Sequence, residues 1–390
     1  MITVDEARAR LFSLVSPLDV EEVPLIEAHG RVMASPVAAT RNQPPFAASS
    51  MDGYAVNRTE VEMHAMFQVV GEAAAGHGYG GRVGAGQAVR IFTGAPMPEG
   101  ADFVVIQEDV TRQGDLITIT DDPGDKDNVR PAGSDFFEGA RIDAPRRLRP
   151  QDVALLAAMN IGRVQVTRKP RVALIATGDE LVMPGEAPGP DQIIASNCFA
   201  LHAMLCELGA APRLLPIARD SRASLLTAFD LARGCDLVVT IGGASVGDHD
   251  LVAPVAAELG MERAFYKVAM RPGKPLMAGR LGETAMLGLP GNPVSAIVCG
   301  HLFLAPMVRA MLGLGTALPA LREATLNEPI GPNGPREHYM RAQVGSGCVS
   351  AFDNQDSSLL SVLAKANALL VRPPHDPARE AGEAVSYLPL

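Results

Sequence analysis

The residues in this chain that could do chemistry sit in a few short stretches. Thr177-Gly178-Asp179-Glu180-Leu181 sets two acids behind a glycine. Asp220 stands at the head of a helical pattern. Gly242-Gly243-Ala244-Ser245-Val246-Gly247-Asp248-His249-Asp250 packs glycines, a serine and two acids into one turn. Each stretch follows an apolar run of strand length, and open parallel sheets bind ligands beyond the carboxyl ends of their strands. A glycine-rich turn of this kind can leave backbone N–H groups free to cradle an anion. Taken singly, Asp220 and Asp250 read as helix N-caps and the glycines as a tight turn. Taken together they read as a site, because caps alone do not need carboxylates after three successive strands.

A second kind of signal is cationic. Lys267-Val-Ala-Met-Arg271-Pro-Gly-Lys274-Pro275 gathers three cations in an acidic chain, flanked by apolar Phe265, Val268, Leu276 and Met277. Such a cluster suits a phosphate or another oxyanion. Close by, Leu289-Pro290-Gly291-Asn292-Pro293-Val294-Ser295 has Asn at an N-cap position and Pro at the first helical one. The helix it opens directs its N–H groups and positive dipole end at whatever lies above the sheet. Residues 49–56, 90–95 and 130–135 are polar turns whose spacing alone indicates no chemistry. The eight histidines are scattered singly, and neither HExxH nor a Walker motif occurs.

The hydrophobic period names the elements that must hold these stretches. From Lys169 on, strands and helices alternate. Strands are predicted at 171–176, 213–217, 236–241, 262–269, 276–279 and 285–289. Helices are predicted at 197–208, at 221–232 capped by Asp220, at 250–259, and at 293–311 capped by Asn292. The alternation predicts a mostly parallel sheet covered by helices, with the polar stretches along one edge. Ahead of it, Thr3 and Glu6 form a capping box for an amphipathic helix ending near Pro17. Short apolar runs at 67–70, 88–92, 103–107 and 116–120 read as a small β unit, and 149–162 as a helix followed by strand 164–166. After Leu318, prolines and short β-like runs indicate a small barrel or sandwich. Residues 284–308 lack acids, Lys and Arg. They also contain Gly288, Pro290, Gly291, Asn292 and Pro293, so they read as strand, turn and helix rather than a membrane span.

At 390 residues the chain exceeds what one hydrophobic core supports, so several domains are expected. Apolar residues are 47 % and charged residues 20 %, proportions that argue against disorder as the main state. A net charge of −10 argues against general nucleic-acid binding, which draws on neutralising phosphates. Five cysteines without a CxxC pair argue against a disulfide framework or zinc ribbon and for a reducing compartment. The first residues show no basic segment followed by an apolar one, so a cytoplasmic location is expected.

Seven motifs occur in a characteristic order: Ser50-Met-Asp-Gly-Tyr-Ala-Val56, Thr93-Gly-Ala-Pro-Met-Pro-Glu-Gly-Ala-Asp102, Lys169-Pro-Arg-Val-Ala173, Thr177 to Leu181, Gly242 to Gly247, Lys267 to Pro275, and Leu289 to Ala296. In register over nearly the whole chain, they resemble the MoeA family of molybdopterin molybdenumtransferases, to which the E domain of gephyrin is homologous. The resemblance implies a multidomain α/β plus β chain. Its parts are an N-terminal helix over 1–20 packing on the α/β domain, a linking domain from 21–38 and 140–166, and a β-rich domain II over 39–139. A molybdopterin-binding three-layer α/β domain with a mostly parallel sheet follows over 167–313, then a C-terminal β-barrel over 314–390. The resemblance also implies a homodimer whose active site lies between the α/β domain of one subunit and domain II of the other. Molybdopterin adenylyltransferase and other cofactor-biosynthesis proteins are the candidate partners, with neither nucleic acid nor membrane. The implied reaction takes adenylylated molybdopterin and molybdate as substrates, requires Mg²⁺, cleaves the phosphoanhydride and releases AMP.

Position by position, the resemblance makes Glu180, Asp220 and Asp250 the acids beside the pyrophosphate and Mg²⁺, ahead of Asp248. Gly242, Gly243 and Ser245 match the pterin-phosphate loop, with Asn197, Pro290, Asn292 and Pro293 around it. Lys267, Arg271 and Lys274 match the cations for molybdate and phosphate, Arg271 standing where Lys is usual. Asp52, Thr93, Arg130 and Asp135 match domain II residues that reach across the dimer. Three departures stand out: Ser134 and Ala195 each replace an acid, and Gln355-Asp356-Ser357 replaces Gln-Gly-Ser, which bears on Ser357, Arg336 and Arg341. Two other classes of function are a molybdopterin adenylyltransferase and a non-catalytic scaffold of the gephyrin kind. The first resembles only the α/β part, so residues 50–56 and the C-terminal β unit argue against it. The retained acids and cations argue against the second.

Overall fold

The computed structural model describes residues 1–243, 251–318 and 320–390. Among these, the central sheet is built from β1 Arg171–Ala176, β2 Ala211–Leu214, β3 Leu237–Ile241, β4 Met261–Tyr266, β5 Met277–Leu281 and β6 Thr284–Leu289. Their spatial order is β2-β1-β3-β6-β5-β4. β2, β1, β3 and β6 run parallel, and β5 and β4 complete the edge antiparallel. Nearly every residue of β1 and β3 is buried, as strands covered on both faces require. The covering helices are α1 Asn197–Leu208, α2 Arg222–Leu231, α3 Val252–Glu258 and α4 Pro293–Cys299. α4 continues through a π-turn at Gly300–Leu304 into Ala305–Met311.

Alternate residues of each strand face opposite helix layers. Leu174, Val239 and Leu287 pack with Leu201, Leu205 and Phe303 on one side. Ala173, Ile175 and Val238 pack with Leu225, Phe229 and Val255 on the other. This is the three-layer α/β arrangement. The apolar helical stretch Pro293–Met311 is long enough to cross a membrane, but 78 % of it is buried inside the protein, so it is a core helix.

The N-terminal helix Val4–Phe12 opens with the Thr3–Glu6 capping box and buries Val4, Ala7 and Leu11 in the first of these cores. It stops before Leu14 and Val15, which pack on that core from a non-helical segment. Strands Val20–Pro24, Val32–Met33, Arg146–Arg147 and Arg163–Thr167 form a separate sheet, and helix Pro150–Ala158 packs on it through Leu156. A β-rich unit orders its strands Phe103–Ile106, Gly53–Val56, Gln87–Ile91, Met66–Ala73, Leu116–Ile119 and Val110–Gln113.

At the C-terminus, Glu337–Gly345 pairs with Cys348–Ala351 on one side and Ala368–Arg372 on the other. Arg322–Leu326 and Ala384–Pro389 complete the ring, so this unit is a closed barrel rather than a sandwich. Residues Met270–Arg271 add to the start of Glu337–Gly345 in parallel, which joins the cationic loop to the barrel.

Two expected caps differ. Helix α2 is capped by the Ser221 hydroxyl, which accepts from the Ser224 N–H, so the Asp220 carboxylate is not consumed as a cap. The Asn292 side chain makes no capping bond to its own helix. β2 ends at Leu214, short of the predicted 217, and α3 begins at Val252; Asp250 lies outside the described residues.

Candidate functional site

From β1 the chain passes to β2 on one side and then to β3 on the other. The two crossovers therefore diverge between β1 and β3, which leaves a crevice at the carboxyl ends of those strands. A cavity of about 730 Å³ opens there. Its floor is Ala176–Gly178 after β1 and Ile241–Gly243 after β3, and Glu180 and Asp220 supply carboxylates. Residues 193–198 form one wall, Pro290–Pro293 with Ser295 another, and Pro275 and Ser358 close the rim.

The floor needs glycine. Gly242 and Gly243 have φ of 93° and 60°. A Cβ on Gly242 would lie 2.8 Å from the Thr177 carbonyl oxygen, and one on Gly243 would lie 2.3 Å from Val252 Cγ2. The Gly242 N–H is not free for an anion: it donates to the Leu289 carbonyl at 3.1 Å, because the β3–β6 ladder runs one residue past the strand. Ser245 and Asp250 lie outside the described residues.

The acids divide into one that braces and two that stay open. Asp179 Oδ1 accepts from the Asp220 N–H at 3.1 Å, tying the turn after β1 to the turn after β2. Glu180 folds back over Gly178, where a Cβ would lie 2.3 Å from Glu180 Oε2. Glu180 and Asp220 line the cavity, and among the described residues neither makes an ion pair. No three His, Cys, Asp or Glu side chains of the described residues are grouped to hold a metal. Two carboxylates beside an anion-sized cavity do match Mg²⁺, which takes one or two carboxylates together with substrate phosphates and water. They do not match a zinc centre.

The opposite wall is assembled from three elements. Asn197 Nδ2 at the start of α1 donates to the Gly291 carbonyl at 2.6 Å. Asn292 Nδ2 donates to Ser357 Oγ at 3.0 Å, and the Val294 N–H donates to the Ser357 carbonyl at 3.1 Å. Asn197, Pro290, Asn292 and Pro293 line the cavity directly, while Ser357 stands behind Asn292. Arg341, 1 % exposed, holds the loop that carries Ser357. Its N–H and Nε donate to Gln355 Oε1 at 2.9 and 3.2 Å, and its Nη1 donates to the Asp356 carbonyl at 2.7 Å. Asp356 is absorbed within that loop: its Oδ1 accepts from Ser358 N–H and Oγ, which holds its carboxyl below the usual range.

The structure places none of the three cations Lys267, Arg271 and Lys274 on the cavity wall. Of the loop from Lys267 to Pro275, only Pro275 lines the cavity. Lys267, at φ 68°, sets its Nζ 5.2 Å from the Tyr266 ring centre. Arg271 is in register with His338 of the barrel, and Lys274 is exposed. Arg336 reaches the same loop, donating from Nη1 to the Met270 carbonyl at 3.4 Å.

A second group lies in the β-rich unit, outside the lining of the cavity. Asp52 Oδ1 accepts from both the N–H and the Oγ1 of Thr93 at 2.8 Å. The Thr93 backbone bond first, then its hydroxyl, hold the Asp52 carboxyl below its ordinary value. Arg90 lies over the rings of Tyr54 and Phe92, at 5.0 and 4.7 Å, and donates to the Gly53 carbonyl at 3.1 Å. Arg130 sits on strand Val129–Arg130 beside Ala48–Ser49, and the Asp135 N–H donates to the Gln43 carbonyl at 2.9 Å. None of Asp52, Thr93, Arg130 and Asp135 lines the cavity. Sequence reading also passed over Arg219, whose partners are carbonyls of another loop and therefore leave no mark in the spacing of side chains.

Comparison with known proteins points to one family. Profiles described as the MoeA N-terminal region (domain I and II), a probable molybdopterin binding domain, and the MoeA C-terminal region (domain IV) match residues 2–160, 173–310 and 323–390. A molybdopterin molybdenumtransferase of Nostoc sp. is 35 % identical over all of this chain and 94 % of its own length. One from Haemophilus influenzae is 33 % identical, over all of this chain and 98 % of its own. The crystal structure of a molybdopterin biosynthesis MoeA protein from Pyrococcus horikoshii superposes with a TM-score of 0.83, at 27 % identity, over 100 % of both chains.

Proposed function

Because the chain belongs to the MoeA family, we propose that it is the transferase that inserts molybdenum during molybdenum cofactor biosynthesis, acting on adenylylated molybdopterin and molybdate and releasing AMP. The observation that carries this reading is the crevice between β1 and β3, where Glu180 and Asp220 remain open while Asp179 is used as a brace. Glu180 and Asp220 would hold Mg²⁺, which when bound supplies positive charge to the phosphoanhydride oxygens. The glycine floor keeps side chains out of the space the substrate needs. The turn Pro290–Pro293, clamped by Asn197 and Ser357, aims the start of α4 at the same space, where its dipole favours an anion. Lys267, Arg271 and Lys274, in the loop whose Pro275 lines the cavity, would attract molybdate, a dianion, into an acidic protein.

The Asp52 group joins this site from a second copy of the chain. Two exposed apolar patches support that assembly. Ile193 and Ile194 line the cavity with exposed Phe199 following in the next helix, and Met51 and Phe137 flank Asp52 and Asp135 in sequence. The cytoplasm is the proposed location; among the described residues the cysteines are free, in keeping with a reducing compartment. A molybdopterin-adenylylating enzyme is the proposed source of substrate.

The test measures AMP released from adenylylated molybdopterin by purified protein with molybdate and Mg²⁺. Asp220→Asn should lower it by about a hundredfold or more while melting as wild type. Unchanged release would remove the cavity from the mechanism. Mixing Asp220→Asn with Asp52→Ala protein should restore part of the activity, since a mixed dimer keeps one intact site; no recovery would overturn the shared site.

A further inference from the structure

We propose that Arg219 is the positioning residue for the two open carboxylates: its guanidinium brackets the turn after β1 to the turn after β2, so that Glu180 and Asp220 face the cavity at a set separation. The inference rests on the reading of those two acids given above.

The bracket is visible atom by atom. Arg219 Nη1 points into a bowl of three carbonyls, donating to Asp179 and Leu181 at 3.0 Å each and to Gly178 at 3.5 Å. These carbonyls surround Glu180 in sequence. The Arg219 backbone is itself fixed, because its N–H donates to Ser224 Oγ at 2.9 Å and its carbonyl accepts from the Ser221 N–H at 2.6 Å. The Arg219 backbone is therefore anchored to the first turn of α2, and its guanidinium reaches the turn after the neighbouring β1. The Asp220 N–H to Asp179 bond runs the same way, so both links are donated by the turn after β2 and accepted by the turn after β1.

The choice of partners is informative. Asp179, Glu180 and Asp220 all stand near this cation, yet among the described residues Arg219 forms no ion pair. A guanidinium has five donors and a fixed charge, and here Nη1 is directed at neutral carbonyl oxygens. The carboxylates of Glu180 and Asp220 are thereby left for a ligand in the cavity. Arg219 orders the backbone that carries them, as Arg341 orders the loop that carries Ser357.

Three variants and two readouts test the bracket. Arg219→Met keeps the length and removes every donor. It should lower kcat for AMP release by about ten- to a hundredfold, with KM for molybdate within about twofold of wild type. Arg219→Lys restores three donors and the charge, and should recover to within about threefold of wild type. In metal-free protein, amide exchange over residues 178–182 and 220–222 should quicken in the Met variant and not in the barrel strands. Unaltered exchange there, or a Met variant with kcat within about twofold of wild type, or a Lys variant as impaired as Met, would overturn the proposal. Asp220→Asn run in parallel separates the two claims. If it too keeps full activity, the reading of the cavity fails, and the exchange data alone decide whether the bracket exists.

Discussion

Asp52 in the β-rich unit and Asp376 in the barrel are both carboxylates held below the usual range, and they are held by opposite means. Thr93 holds Asp52 with an amide and a hydroxyl, both neutral. Arg379 holds Asp376 at 2.6 Å, and the buried Arg372 bonds its other oxygen, against the cost of burial. A charge stabilised by neutral donors is still a charge to an incoming ligand. A charge stabilised by guanidinium groups has been cancelled, and serves only the fold. The cavity follows the Asp52 pattern, since Arg219 binds carbonyls and leaves Glu180 and Asp220 open. The barrel uses its charges for cohesion.

The barrel side of this contrast should break first. Arg372→Leu strands Asp376, 7 % exposed, with one partner instead of two. It should cost about 3 kcal/mol or more in chemical unfolding, with the AMP-release rate per folded molecule unchanged. A fall in that rate equal to the loss of stability would show that barrel charge is not confined to the fold.

His338 sharpens the same point and ranks second. Burial, followed by Arg271, Arg372, Arg341 and Arg336, pushes its imidazole down to about 4. The unfolded chain binds the proton at about 6.5, so the unfolded state holds more protons between those values. Its contribution to stability is complete above about pH 6.5 and is lost as pH falls toward 4, by up to roughly 3 kcal/mol. His338→Phe should flatten unfolding free energy across that window, and a slope equal to wild type would exclude this residue as the source.

The smallest effect belongs to Asp52. Thr93→Val removes the hydroxyl and leaves the stronger backbone bond, so the Asp52 carboxyl should move up toward its ordinary value but not reach it. The acid limb of kcat/KM should shift to higher pH, with no change in unfolding at neutral pH. An unmoved limb would mean that Asp52 does not report on the reaction.

Much of the fold was legible because its signals are local. The Thr3–Glu6 box and the strand–turn–helix reading of 284–308 both depend on neighbours a few residues apart. The cap of α2 was assigned one residue early: Asp220 and Ser221 are both good caps, and only the bond from Ser224 N–H to Ser221 Oγ decides between them. The glycine turn after β3 was expected to present free N–H groups, but the ladder to β6 takes the Gly242 N–H, and register cannot be read from one strand. The cationic loop was legible as charge. Its attachment to the barrel depends on a strand pairing between Met270–Arg271 and Glu337–Gly345, far apart in the chain.

By itself the amino-acid order determined which residue types were available, which runs were strands and helices, and that the motifs matched one family along the whole chain. The tertiary structure alone decided which acids are open and which are braces. That depends on loops after different strands meeting at the switch point, where a carbonyl of one turn finds an arginine of another. Backbone oxygens are the same at every residue, so their partners are chosen by topology and leave no trace in side-chain spacing.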